Sequence, residues 1–228
     1  MNSEVKIWGL GVGPGDPDLI TLKALKILQK VDVIAYPTLN GGESLVRSIA
    51  EPHFITNQEE IKISIPMLID RYPAQDIYDA AALKISLAVE AGKSVAILCE
   101  GDPFFYGSFM YLFVRLAERH LIEVVPGVTS LAACSSALAL PLAARNDVIS
   151  VIPGPLDEEA LEEQLRTTNV AAIIKVGRHL GKIKRILRKI GVIDNALYIE
   201  RATMDDQKIK RLSELKDDNA PYFSMIIV

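Results

Sequence analysis

With 228 residues, half of them apolar and 24% charged, the chain is long enough to bury one large core or two smaller ones. No run of about 18 uncharged apolar residues occurs, and the first residues lack the basic-then-apolar pattern of a leader, which predicts a cytoplasmic protein with no membrane span. The formal net charge of -4 argues against a nucleic-acid binder, and Cys99 and Cys134 stand in apolar surroundings outside any CxxC or Cys/His cluster, so buried free thiols are expected and no metal site.

In chain order, residues 5–12 (VKIWGLGV) read as a first strand, after which glycines alternate through GLGVGPGDP. A dinucleotide fingerprint needs its third glycine three residues after the second, yet Pro14 stands there after Gly9-x-Gly11, and Asp16 after Gly11-x-Gly13. The second strand, Val31 to Tyr36, ends in Tyr36-Pro37 and not in an acid that would grip a ribose. The loop instead predicts a helix capped by Asp16, with Pro17 first and Leu19, Ile20, Leu22, Ile27 and Leu28 on its apolar face. A helix near Glu43 to Glu51 and a strand near Glu60 to Ile65 carry no assigned chemistry. Ile77, Ala81, Ile85 and Ala88 then mark a helix closed by Gly92.

Residues 94–109, SVAILCEGDPFFYGSF, hold the central strand. Its apolar run fits a strand covered on both faces, and the polar residues come at the carboxyl end, where open α/β sheets hold ligands. Gly101 allows close backbone approach, and Asp102-Pro103 makes the exit turn rigid. Phe109, Leu112, Phe113 and Leu116 then define an amphipathic helix ending near His120, where a boundary is expected between domains of residues 1–120 and 121–228.

The second half repeats the alternation, with strands at Ile122 to Val125, Val148 to Ile152, Val170 to Lys175 and Ala196 to Glu200, then near Gln207 to Leu212 and Tyr222 to Val228. A small-residue helix ends at Pro141, an acidic helix is capped by Asp157, and a basic helix closes at Gly191. Its Lys182, Lys184, Arg185, Arg188 and Lys189 are expected to form a solvated face. Four strand ends, at Glu100 to Asp102, Pro126 to Ser130, Lys175 to Arg178 and Glu200 to Ala202, carry glycines, small hydroxyls and exposed backbone in place of a triad. Three His with no HExxH make a metal hydrolase improbable.

Four motifs in order, GVGPGDPDLITLKA with DVIAYP, then CEGDPFFYGS, then VVPGVTS, resemble the tetrapyrrole (precorrin) methyltransferases over most of the chain. Within that family Glu100, Tyr36-Pro37 and KVGRHLGKI look most like the enzymes that methylate carbon 20 of precorrin-2 or cobalt-factor II. Methylation elsewhere on a related tetrapyrrole, such as uroporphyrinogen III or a later precorrin, diphthine synthesis, and a nucleotide-sensing module remain alternatives.

The resemblance implies two α/β domains with an active-site trough between them, a homodimer, a small-molecule tetrapyrrole substrate, and S-adenosyl-L-methionine giving S-adenosyl-L-homocysteine. It implies cofactor contacts from Gly101, Asp102, Phe105, Tyr106, Thr129, Ser130, Val176, Gly177 and Ala202. Methyl transfer to carbon calls for alignment more than for a nucleophilic side chain. A base must still take the proton that methylation leaves on the carbon. Asp102, Glu100 and Tyr106 are candidates, with Lys175 as an orienting cation, although Asp102 can equally be a turn cap, Tyr106 a packing ring and Lys175 a solvated charge. For an acidic substrate, Arg145, Arg178, His179 and Arg201 lie near strand ends, with Gly11 and Pro14 in the first loop and Arg71 left open.

Overall fold

The computed structural model describes residues 7–65 and 72–228, so Arg71 lies outside the described residues. The chain divides into two compact units, Met1–Thr129 and Ser130–Val228.

The first unit runs β1 (Ile7–Gly11), α1 (Leu22–Leu28), β2 (Val33–Leu39), α2 (Leu45–Ala50), β3 (Glu59–Ile65), α3 (Tyr72–Glu90), β4 (Val95–Cys99), α4 (Phe109–Leu116) and β5 (Ile122–Val125). Its strands pair in parallel in the order β3-β2-β4-β1-β5. All five residues of β4 are buried, as a strand covered on both faces requires. Val95, Ile97 and Cys99 pack with α3 and α4. Ala96 and Leu98 pack with α1 and α2.

The second unit runs α5 (Ser130–Ala137), β6 (Ile149–Pro153), α6 (Glu158–Thr167), β7 (Val170–Ile174), α7 (Leu180–Lys189), β8 (Leu197–Glu200), β9 (Lys208–Arg211) and β10 (Ser224–Ile227). The sheet order is β6-β7-β10-β8-β9. β6 and β7 are parallel, whereas β10 lies antiparallel between β7 and β8. The carboxyl ends of β6, β7 and β8 therefore leave the sheet at one edge.

Several local expectations change. Strand β5 pairs with β1 in the register Ile7↔Ile122 and so completes the first sheet, whereas the sequence placed it at the start of a second domain. Parallel partners meet only through a crossover, so nothing local to residues 122–125 reveals the pairing. Asp16 caps only a short 3₁₀ turn, Pro17–Leu19, by accepting from the Asp18 N–H at 2.9 Å. Thr21 then caps α1 separately, its hydroxyl accepting from the Ala24 N–H, and Leu22 is left 73% exposed. Helix α5 stops at Ala137, short of Pro141, where the Ser135 hydroxyl donates to the Leu140 carbonyl.

The basic helix α7 is not wholly solvated. The Lys184 side chain is only 4% exposed, and its ammonium donates to the Asp217 carbonyl and to Asp218 Oδ1, each at 2.8 Å. Lys182 donates to the Leu156 carbonyl. Arg185 and Lys189 do lie on a wet face, paired with Glu158 and Glu162.

Tyr36, fully buried, donates its hydroxyl to Glu60, which takes a fork from Arg47 at 2.8 and 3.0 Å, and Arg47 also reaches Glu51 at 2.9 Å. The Arg47 guanidinium holds the Glu60 carboxyl down at about 2, and burial with the Glu60 contact pushes Tyr36 up to about 12. Because the folded carboxyl binds its proton less readily than the unfolded one, its stabilisation is present above the ordinary 4.5 and is lost as pH falls towards about 2. Glu60→Gln is therefore expected to cost about 1–2 kcal/mol at pH 7 and nearly nothing at pH 2. Urea unfolding of both proteins across that range measures it; a cost independent of pH would refute the assignment.

Candidate active site

In the first unit, three loops leaving β1, β4 and β5 lock together at close backbone contacts. The Gly101 N–H donates to the Gly13 carbonyl at 2.7 Å, and the Val12 N–H donates to the Cys99 carbonyl at 3.0 Å. A Cβ on Gly11 would stand 2.6 Å from the Gly101 oxygen, and one on Gly127 only 2.0 Å from the same atom. Gly101 itself sits at φ +63, in the left-handed region that favours glycine. Gly11, expected to touch substrate, is buried inside this contact, while Pro14, three residues on, is half-buried.

Asp102 staples its own loop to the one after β5. Its Oδ1 accepts from the Phe104 and Phe105 N–H groups at 2.9 and 3.1 Å, and its Oδ2 accepts from the Gly127 N–H at 3.1 Å. A carboxylate that accepts from three amides fixes a loop. These are the contacts of the turn cap, the other role expected for Asp102.

Glu100 has a different environment. It directly follows β4; burial pushes its carboxyl up, opposed by its own N–H and that of Val46 in the first turn of α2. A carboxyl raised in this way at a strand end is a candidate acid or base. The neighbouring Cys99 thiol is pushed up far by burial and by Glu100, and Cys134 up to about 12 by burial, so both stay as buried thiols.

Beyond Asp102 the loop turns aromatic. Tyr106 is 41% exposed at φ +59 and meets Phe105 edge-on at 5.3 Å. Thr129 is half-buried, and Ser130 is exposed at the start of α5 in the other unit.

In the second unit the strand ends carry strained backbone. Lys175, directly after β7, has φ +54, and Arg201, directly after β8, has φ +51; both side chains are exposed. Non-glycine residues held in this region cluster at ligand sites. Val176 is fully buried, so it can offer only its backbone, whereas a Cβ on Gly177 would meet nothing within 4 Å. That open side leaves room for a ligand to approach the 176–177 backbone. Ala202 is 8% exposed and packs in the core behind the edge.

The expected cations fare unequally. Arg178 is exposed and takes part in none of the ion pairs found among the described residues, and Arg145 is exposed at φ +50. Arg201 is bound to Asp206 within its own turn, a partner five residues away. Burial, with the charges of Lys182 and Arg178, holds the His179 imidazole below its ordinary value, so it offers a neutral ring near pH 7. Glu200 was read only as a strand end; it is buried, takes the Tyr198 hydroxyl and pairs with Lys208 at 2.8 Å.

Residues 6–216 match the tetrapyrrole (corrin/porphyrin) methylases. The precorrin-2 C(20)-methyltransferase of a Sinorhizobium species is 43% identical over 98% of this chain and 94% of its own length. The cobalt-precorrin-2 C(20)-methyltransferase of Salmonella typhimurium is 33% identical over 98% of this chain and 95% of its own. Among solved structures, a cobalt precorrin-4 methyltransferase has a TM-score of 0.76 at 26% identity, covering 100% of this chain and 95% of that one. A uroporphyrin-III C-methyl transferase from Thermus thermophilus, complexed with S-adenosyl homocysteine, has a TM-score of 0.69 at 24% identity over 97% of this chain and 91% of its own, a likeness of fold.

Proposed function

The chain belongs to the tetrapyrrole (corrin/porphyrin) methylase family, and we propose that it methylates carbon 20 of precorrin-2 or its cobalt-bearing counterpart in cobalamin (corrin) biosynthesis. The observation that carries this is the 43% identity, over nearly the whole of both chains, to a precorrin-2 C(20)-methyltransferase. The enzyme is a C-methyltransferase that uses S-adenosyl-L-methionine and releases S-adenosyl-L-homocysteine.

The cofactor, when bound, supplies an electrophilic methyl group. The residues that would hold it are the backbone and hydroxyl groups of Gly101, Phe105, Tyr106, Thr129 and Ser130, and the open backbone at Val176 and Gly177. Such neutral groups suit a ligand that must be aligned without being attacked. As carbon 20 forms its new bond it must shed a proton, and Glu100 is the base in this scheme. A raised carboxyl accepts a proton at neutral pH more readily than one held low by cations. Lys175 is the orienting cation in this scheme. A homodimer and a cytoplasmic location complete the proposal, the latter supported by two buried free thiols; equilibrium sedimentation tests the dimer.

Incubation with methyl-labelled S-adenosyl-L-methionine and a panel of tetrapyrroles is expected to label precorrin-2 or cobalt-factor II at carbon 20. Label at another carbon, or none, would overturn the assignment. Arg178→Ala is expected to raise the tetrapyrrole KM about tenfold, the worth of one charged hydrogen bond, while S-adenosylhomocysteine binds as before. Arg201→Ala is expected to do less, because Asp206 already engages that guanidinium. Equal KM values for parent and Arg178→Ala would remove Arg178 from the site.

A further inference from the structure

Residues 215–223 run from the turn after β9 to β10 as a strap across α7, and their middle, Lys216-Asp217-Asp218-Asn219, is exposed and charged, a run that water could solvate freely. It is tied down instead. Lys184, on α7, donates to the Asp217 carbonyl and to Asp218 Oδ1, each at 2.8 Å. The Gly181 N–H, in the first turn of α7, donates to the Asp218 carbonyl at 3.1 Å, and a Cβ on Gly181 would stand 3.2 Å from that of Asp218. The side chain of His179, at the start of α7, makes no capping hydrogen bond, so the strap satisfies one of the amides that a helix start leaves over.

Burying the Lys184 side chain to 4% exposure costs desolvation, and Asp218, 73% exposed, returns only part of what a buried partner would. What the strap holds further along accounts for that cost. The Ala220 N–H donates to the Gly177 carbonyl at 3.1 Å, and the Arg201 N–H donates to the Phe223 carbonyl at 2.9 Å. The strap is thus bonded to the turns after β7 and after β8, where Gly177 stands at φ +34 and Arg201 at φ +51. Leu215 and Ala220, on either side of the charged run, pack into the core of the unit.

We propose that Lys184 is a positioning residue for the cofactor: by anchoring the strap it fixes the Gly177 carbonyl, and with it the Val176–Gly177 backbone, in the orientation that receives S-adenosyl-L-methionine. This rests on the reading of the 176–177 backbone as a cofactor contact. Lys184→Met keeps the length of the side chain and removes its charge. With both hydrogen bonds gone the strap is expected to be docked about a tenth of the time, and the S-adenosylhomocysteine dissociation constant, measured by calorimetry, to rise about tenfold, because affinity falls with the fraction of molecules competent to bind. Asp218→Ala, at an exposed residue, keeps the Asp217 carbonyl contact and is expected to raise the constant about threefold. Leu187→Ala is the control for a merely structural role. It empties a fully buried site in the core under the same helix, destabilises the unit at least as much, and is expected to bind like the parent below its unfolding temperature. Parent-like affinity in a folded Lys184→Met, or an equal loss in Leu187→Ala, would overturn the assignment. So would an Asp218→Ala protein that binds like the parent, whether or not Lys184→Met folds.

A second readout needs no ligand. In Lys184→Met the Ala220 amide, followed by NMR, is expected to exchange with solvent about tenfold faster than in the parent, while the amides paired between β7 and β10 exchange as before. Equal Ala220 rates would show that Lys184 does not hold the strap. Gly177→Ala tests the reading underneath: its methyl would meet nothing in the chain within 4 Å, and it is expected to weaken S-adenosylhomocysteine binding by standing in the ligand's way. If Gly177→Ala bound like the parent, the cofactor would lie elsewhere, and faster Ala220 exchange in Lys184→Met would then mark a strap held for the fold alone.

Discussion

Gly127→Ala is expected to yield a protein that loses about 3–5 kcal/mol of unfolding free energy and no longer binds S-adenosylhomocysteine, among the largest effects of a single methyl group. The new Cβ would lie 2.0 Å from the Gly101 carbonyl oxygen and 2.9 Å from the Gly11 backbone. Both neighbours are main chain, so no side-chain rotation relieves the contact, and either the loop after β4 or the loop after β5 must move. Moving either breaks the hydrogen bond from the Gly127 N–H to Asp102 and with it the turn that presents Phe105 and Tyr106. Gly92→Ala is the control: at φ +85 with nothing within 4 Å of a Cβ, it is expected to cost only the left-handed conformation, about 1–2 kcal/mol. Urea titration with calorimetry of ligand binding compares the two. A Gly127→Ala protein as stable as Gly92→Ala would show that the three loops do not lock.

The same contact explains why Gly101→Leu cannot separate binding from folding. Gly101 lies at φ +63 with its carbonyl between Gly11 and Gly127, so a side chain there strains the interlock itself.

Glu100→Gln is expected to lower kcat by about 10²–10⁴-fold while leaving S-adenosylhomocysteine affinity unchanged, because the amide keeps the shape of the side chain and cannot take a proton. Its effect on stability has the opposite sign. The folded state keeps the Glu100 proton to higher pH than the unfolded chain, whose carboxyl has the ordinary value of 4.5. In that interval the folded state binds more protons, so stability falls as pH rises from about 4.5 through the raised folded value. Glutamine lacks this loss. The variant should therefore gain on the parent in thermal unfolding as pH is raised, and turn over more slowly at every pH. Parent-like kcat would remove Glu100 from the chemistry; a stability difference flat in pH would remove the buried carboxyl.

How far the sequence alone reaches can be read from particular residues. The wholly apolar run Val95–Cys99 announces a strand covered on both faces, and the turn after it marks a candidate site, because burial and turn chemistry are local properties. Glu100 and Asp102, two residues apart, could not be told apart there. Which is desolvated and which collects amides depends on α2 and on the loop at Gly127, both remote in sequence. Lys184 was read as solvated since it neighbours Ile183 on a helix full of cations, yet the backbone at Asp217 folds over it. The pairing of Arg201 with Asp206 is hidden from the sequence because ion pairing across a tight turn depends on the turn's geometry, which residue type does not specify.

The place of β10 bears on the order in which the second unit can assemble during synthesis. Strands β6 to β9 leave the ribosome first, but β7 and β8 have no direct pairing and meet only through β10, residues 224–227. Until those four residues emerge, β7 and β8 each present an open hydrogen-bonding edge lined with Ala171, Ile173, Tyr198 and Ile199, side chains that end up in the core. The nascent second unit is thus two half-sheets waiting for a common middle strand, a period in which a chaperone or a neighbouring chain can reach edges that the finished protein hides.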